Sequence, residues 1–224
     1  MPCLRHGVLI VFEGLDGAGK STQATLLFHW LKEAGFDVLL SKEPTGSIWG
    51  EKIRRVIAEG RCGVSPEEET EWFIRDRREH VDTFIRPNLD QRKIVILDRY
   101  YFSTIAYQGA LGLDPEELER KNVAFAPVPD LAFLCNISPQ KGLRRIAESR
   151  RGGADAFERE QYLTRVNELF ASLDKPFLHR LQADDPVEAL EVQVRAIVTQ
   201  HLHGQALVID NDTCVEAGKG VDIR

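Results

Sequence analysis

Three observations predict an α/β fold, a five-stranded parallel sheet with helices on both faces. Apolar runs alternate with amphipathic segments along the chain, as they do when crossover helices join parallel strands. The run Ile94-Val95-Ile96-Leu97 shows no polar alternation, which suits a strand buried on both faces. The run Val8-Leu9-Ile10-Val11-Phe12 leads directly into a glycine-rich loop and then a helical pattern.

The strands expected are Val8–Phe12, Phe36–Leu40, Ile94–Leu97, Leu131–Cys135 and Phe177–Leu181. Helices are expected at 21–34, 48–59, 66–86, 101–110, 115–124, 139–149, 157–173 and 186–202. The first of these carries Leu26, Leu27, Trp30 and Leu31 at helical spacing. Ser65-Pro66-Glu67-Glu68 is a capping box with proline in the first turn, and Asp185-Pro186 opens the last long helix in a similar way. Residues 1–203 read as one domain, and 204–224 as a tail of uncertain order.

The 224 residues suffice for one sizeable core. A net charge of −6 argues against a broad nucleic-acid-binding surface, so a polyanion site must be local and built from clustered arginines. No apolar stretch approaches a bilayer span and Met1 to Arg5 carries no signal-peptide pattern, so a cytoplasmic protein without a membrane partner is expected. Four scattered cysteines suggest neither a zinc site nor a disulfide framework, and Cys135, inside an apolar run, reads as a buried thiol. His201 and His203 fall at a helix end and receive no metal role.

Gly14-Leu15-Asp16-Gly17-Ala18-Gly19-Lys20-Ser21 matches G-x-x-x-x-G-K-[ST], with a strand before it and a helix after it. Glycines let backbone amides close around oxyanions, and the free N–H groups of the helix start, including those around Thr22, add positive potential. Lys20 reaches the β/γ-phosphates, and the Ser21 hydroxyl is placed to ligate Mg²⁺. Asp98 ends an apolar strand, where a carboxylate in this class supports the Mg²⁺ shell. Arg99 beside it suits a phosphate, or an ion pair with Asp98; projection into the same cleft favours the phosphate.

Arg77 falls on the apolar stripe Phe73, Val81, Phe84 and Ile85. A charge there either snorkels to the surface or joins Phe73 in gripping a planar ligand. Ser103 with Tyr107, and Thr104 with Gln108, share helix faces that suit a polar-edged nucleoside or an ordinary exposed helix. Arg144, Arg145, Arg150 and Arg151 precede Gly152-Gly153, and the whole segment 144–157 reads as a lid that brings cations over phosphates rather than a solvated helix end.

Together these residues resemble the thymidylate kinase family. The resemblance spans about residues 7 to 202 and rests on Phe12-Glu13-Gly14 entering the phosphate loop, Lys42-Glu43-Pro44, Phe73 with Asp76-Arg77 and Glu79-His80, Asp98-Arg99-Tyr100, and Ser103 through Ala106-Tyr107-Gln108-Gly109. It implies the P-loop nucleoside monophosphate kinase fold, ATP as donor, dTMP as acceptor, Mg²⁺ as cofactor and a homodimer. By position it implies that Asp16 accepts the sugar 3′-OH, that Phe73 stacks on thymine and Arg77 bonds its edge, and that Arg99 holds the acceptor phosphate. Tyr107 would lie near the sugar, with Ser103, Thr104 and Gln108 lining the nucleoside, and Lys42 would stand at a phosphate contact where the family usually has arginine. Gly17 stands where one branch carries a loop arginine, which implies a bacterial-type enzyme drawing its catalytic arginine, Arg150 or Arg151, from the lid. Arg145 would pack on adenine. Ala156 replaces an arginine common in that lid. The rival readings are a related kinase with another acceptor and a noncatalytic nucleotide-binding module.

Overall fold

The computed structural model describes residues 3–61, 63–142, 144, 156–204 and 208–209; for 3, 156–159, 204, 208 and 209 it describes the backbone alone. Its main sheet comprises β2 (Val8–Gly14), β3 (Val38–Lys42), β4 (Ile94–Asp98), β5 (Leu131–Asn136) and β6 (Leu178–Gln182). They are ordered β3-β4-β2-β5-β6 and are all parallel. The two-residue strands β1 (Cys3–Leu4) and β7 (Val208–Ile209) form a separate antiparallel pair that joins the N-terminus to the tail.

The helices are α1 (Lys20–Glu33), α2 (Ile48–Ala58), α3 (Pro66–His80), α4 (Arg86–Asp90), α5 (Tyr101–Gly109), α6 (Pro115–Val123), α7 (Ala156–Ser172) and α8 (Val187–Gly204). Residues 139–142 and 144 are helical too. The rest of the expected 139–149 helix, most of the lid and most of the 204–224 tail lie outside the described residues.

β2 is central and buried along all seven residues. Phe12 stacks on Phe133 with ring centroids 5.1 Å apart. Because β4 and β5 flank β2 on opposite sides, the connections diverge and open a crevice over the carboxyl end of β2. The register brings Phe12 opposite Asp98, Lys42 opposite Asp98, and Gly14 opposite Cys135. The residues with chemistry therefore converge on one edge of the sheet.

Most bounds shift from expectation by one or two residues, and two of the differences have a clear local cause. The strand expected at Phe36–Leu40 begins at Val38. The end of α1 takes the intervening residues: Gly35, at φ 85°, donates to the Lys32 carbonyl and Phe36 donates to that of Leu31. That pair of bonds is a Schellman closure, with the apolar Phe36 one position past the glycine. The helix expected at 66–86 runs on to Asp90, but through a π-helical turn at Val81–Ile85. Pro87 falls in the first turn after it. The turn widens the helix so that Arg77, Val81 and Ile85 all remain buried. Elsewhere the Ser65 hydroxyl caps α3 by accepting from the Glu68 amide at 3.2 Å.

Because Ile10 is fully buried in the middle strand, Ile10→Ala should destabilise the fold by about 2–5 kcal/mol through lost burial and a residual cavity. The measurement is the urea midpoint, which should fall while the m-value holds.

Candidate active site

β2 delivers the chain into the phosphate loop through Gly14, at φ 131°, where a Cβ would stand 2.5 Å from the Cys135 carbonyl oxygen. No side chain fits there. Gly17 (φ 80°) and Gly19 (φ 87°) provide the left-handed turns that fold the loop back onto the start of α1. Lys20 is buried, and its Nζ donates to the Leu15 carbonyl at 2.7 Å. Burial, aided by the Arg99 charge, pulls its ammonium down to about 8, against the pull of Asp16 and Asp98. A phosphate replacing the carbonyl would meet a lysine already stripped of water.

Ser21 Oγ donates a short hydrogen bond to Asp98 Oδ2. Asp98 Oδ1 is buried with no hydrogen-bond partner among the described residues. Two hard oxygens, one with unused acceptor capacity, fit Mg²⁺. Among the described residues no group of three or more His, Cys, Asp or Glu could hold a metal. Mg²⁺ characteristically takes few protein oxygens and keeps several waters, which a hydroxyl–carboxylate pair leaves room for. A cleft of about 460 Å³ adjoins it, lined by Ser21, Thr25, Ser41, Lys42, Thr45 and Asp98 among others.

Glu13, the next-to-last residue of β2, is fully buried. Its Oε1 accepts from the Tyr100 amide at 2.8 Å and the Ser103 amide at 3.2 Å, and its Oε2 accepts from the Ser103 hydroxyl at 2.5 Å. These amides belong to the first turn of α5, whose Tyr100 N-cap offers no side-chain cap. A carboxylate from another strand caps the helix instead. Burial pushes the Glu13 carboxyl up to about 7, against the opposing pull of Ser103, Arg99 and the Tyr100 amide.

Arg99, at φ 74°, sits between this anchor and the phosphate loop. Its Nη1 donates to Ser103 Oγ at 2.7 Å, and its Nη2 donates to Asp16 Oδ1 at 2.7 Å and the Tyr107 hydroxyl at 3.3 Å. The guanidinium also lies over the Tyr107 ring, 5.0 Å from its centre. The sequence left open an ion pair with Asp98; the acid it meets is Asp16. Asp98 bonds Ser21.

Arg77 does not snorkel. It is 1% exposed, and its Nε donates to Glu43 Oε2 at 2.8 Å, Nη1 to Asn122 Oδ1 at 2.5 Å and Nη2 to Thr104 Oγ1 at 3.1 Å. One face looks onto the Tyr100 ring at 5.4 Å. Phe73, one turn earlier, is half-buried. Asp76 accepts from the Thr45 amide and from the hydroxyls of Thr45 and Ser47, and so ties down the loop after β3. The Ser103–Gln108 segment is no exposed helix: Ser103, Thr104 and Gln108 are buried and Tyr107 is half-buried. Both polar atoms of the Gln108 amide lack a partner among the described residues.

The structure thus gathers Asp16, Lys20, Ser21, Asp98 and Arg99 around the loop, and places Arg77, Thr104 and Asn122 in one buried cluster behind it. Lys42 lies on the cleft wall, exposed. Leu15 and Ala18 are buried and Thr22 is exposed. Arg145, Arg150 and Arg151 lie outside the described residues. Sequence reasoning assigned no role to Glu13, Glu43, His80 or Asn122. The available signal was charge within apolar surroundings, Glu13 ending a buried strand, since such a group requires partners.

A phosphate loop at the centre of a parallel sheet, a strand-end aspartate beside it and an arginine-bearing helix across the crevice define a P-loop kinase of the nucleoside monophosphate type. A thymidylate kinase family model matches residues 12–194. Thymidylate kinase from Desulfotalea psychrophila is 45% identical over 196 residues, covering 88% of this chain and 96% of that protein. The Xanthomonas euvesicatoria thymidylate kinase is 45% identical over 213 residues, covering 95% and 91%. A crystal structure of Ehrlichia chaffeensis thymidylate kinase superposes with a TM-score of 0.68 at 30% identity, covering 86% of this chain and 98% of that one. The chain belongs to the thymidylate kinase family.

The Glu13 environment has a pH signature. With its carboxyl near 7 in the folded protein and near 4.5 unfolded, the folded state binds the extra proton between those values, so this group's contribution to stability falls as pH rises from about 4.5 to 7. Glu13→Gln should remove that component. Urea unfolding of both proteins at pH 5 and pH 7.5 measures it: the stability of the wild type relative to the variant should drop with rising pH, and a constant difference would contradict the assignment.

Proposed function

We propose that this protein transfers the γ-phosphoryl group of ATP in line to the phosphate of dTMP, giving dTDP and ADP. The observation that supports this mechanism best is the position of Arg99, which spans from the phosphate loop at Asp16 to the nucleoside-facing helix at Ser103 and Tyr107. A donor γ-phosphate in the loop and an acceptor phosphate on Arg99 would meet at that point. Asp16, released from the ion pair, would accept the sugar 3′-OH.

The acceptor phosphate is already anionic at neutral pH, so no side-chain base is needed; alignment and charge neutralisation suffice. Lys20 draws charge from the β/γ-phosphates, and the loop amides of Gly14–Ser21, with that of Thr22, hold the remaining oxygens. Ser21 and Asp98 would hold Mg²⁺, which when bound neutralises phosphate charge and fixes donor geometry. Phe73 stacks on the base and Arg77 reaches its edge with the Nη1 hydrogen not given to Asn122. Thr104, Tyr107 and Gln108 line the nucleoside, and Lys42 approaches a phosphate from the cleft wall.

The family resemblance further supports a bacterial-type lid in which Arg150 or Arg151 supplies transition-state charge and Arg145 packs on adenine. It also supports a homodimer built from sheet-covering helices, consistent with the exposed apolar Ile48 and Ile57 on α2. A cytoplasmic location accords with the absence, among the described residues, of any helix long and apolar enough to cross a membrane.

ADP release measured with ATP, Mg²⁺ and a panel of acceptors tests the reading, with Arg99→Ala alongside. dTMP should be the best acceptor, and the variant should lose about 10²–10³-fold in turnover with dTMP while its ATP affinity changes little. A purine monophosphate or free nucleoside outperforming dTMP would overturn the acceptor assignment; equal losses for dTMP and ATP would overturn the role of Arg99.

A further inference from the structure

Behind the acceptor site lies a buried array that the phosphoryl-transfer mechanism does not use. Glu43, the residue after β3, is 5% exposed and divides its two oxygens between different partners. Oε2 takes Arg77, and Oε1 takes His80 Nδ1 at 3.0 Å. The other ring nitrogen, Nε2, lies 2.9 Å from Ser41 Oγ. A carboxylate accepts only, so Nδ1 carries the proton at that contact, while the Ser41 hydroxyl, able to donate or accept, pairs with Nε2.

His80 is itself tightly held. Its side chain is 6% exposed, and it stacks on Phe84 with ring centroids 5.3 Å apart and planes 20° from parallel. It is the last residue of α3, and the π-helical turn starts at the next position. Such insertions in helices are frequently found where a side chain must be re-aimed for function. Arg77 and His80, three residues apart on α3, share its inward face, and across the wider turn Phe84 comes under the imidazole.

Consider what the second oxygen of Glu43 would otherwise do. An arginine and a carboxylate left to themselves favour a two-oxygen, two-nitrogen fork. With Oε1 held by His80, that fork is denied, and Arg77 engages Oε2 alone. This rotates the guanidinium so that Nη1 and Nη2 reach Asn122 and Thr104, leaving one Nη1 hydrogen for a further acceptor.

We infer that His80 is a positioning residue for acceptor recognition: by occupying one oxygen of Glu43 it fixes the orientation in which Arg77 meets the acceptor base. The inference rests on the reading that Arg77 contacts the base. Ser41, at the far end of the array, lines the cleft that also holds Ser21 and Asp98, so the same chain of contacts runs from the base side to the phosphate side.

Asparagine and glutamine separate the two functions of the imidazole, because the asparagine amide nitrogen falls near Nδ1 and that of glutamine near Nε2. Steady-state kinetics of His80→Asn, His80→Gln and Arg77→Lys, with thermal melting of each, test the assignment. His80→Gln, which loses the grip on Glu43, should raise the KM for dTMP about tenfold, the scale of one hydrogen bond to a charged group, with the KM for ATP within about twofold of wild type. His80→Asn should restore most of the dTMP affinity even where its melting temperature is no higher than that of the glutamine variant. An unchanged dTMP KM in both His80 variants, rescue by glutamine rather than asparagine, or a parallel rise in the ATP KM would overturn the inference. If Arg77→Lys raises the dTMP KM while the His80 variants do not, the positioning role fails and the Arg77 reading stands; if Arg77→Lys also leaves it unchanged, the underlying reading fails.

Discussion

The site depends on one buried carboxylate. Glu13 leaves the central strand where the phosphate loop begins, and its oxygens take the first-turn amides and the Ser103 hydroxyl of α5. Arg99 adds a second link between the phosphate loop and α5, bonding Asp16 on one side and Ser103 and Tyr107 on the other. With Glu13 in place, α5, which carries Ser103, Thr104, Tyr107 and Gln108, and Arg99 in the turn just before it are pinned to the strand that feeds the phosphate loop. A buried charge is costly, and its pKa near 7 reflects that cost. On the proposed mechanism the gain is a fixed distance between two substrates, which matters in a reaction run mainly by alignment and charge neutralisation.

A second buried acid organises the inward face of α3 by related means. Glu43 follows β3 as Glu13 ends β2, and it holds Arg77 and His80 much as Glu13 holds the start of α5. In both cases a strand-end carboxylate reaches across to a helix and orients an arginine or its immediate partner. Asp76 does the converse, reaching from α3 back to the loop at Thr45 and Ser47. The parallel sheet is therefore more than a platform, since its strand ends supply the acids that fix the cations.

Much of this was legible in the sequence where local chemistry is decisive. Glycines before a Lys-Ser pair, after an apolar run and before a helical one, admit few arrangements other than a phosphate loop, and the unbroken Ile94–Leu97 run read as an interior strand. Partners distant in sequence were less legible. Nothing near Arg77 says that Glu43, Asn122 and Thr104 will surround it, because those contacts come from three other segments brought together by the sheet order. Arg99 likewise offered two readings, and its pairing with Asp16 rather than Asp98 is set by the turn of the backbone at φ 74°. The start of β3 was misplaced for a local reason: Phe36 looks like strand by composition, but a glycine-closed helix end captures it.

On the proposed mechanism, Arg99 stays on Asp16 until an acceptor phosphate takes it and the sugar takes Asp16. A crystal structure of the protein with dTMP measures this directly. The Asp16–Arg99 contact, 2.7 Å here, should be replaced by Arg99 on the dTMP phosphate and Asp16 on the 3′-OH, while Glu13 keeps its bonds to Tyr100 and Ser103. An intact Asp16–Arg99 pair with the phosphate bound elsewhere would contradict it.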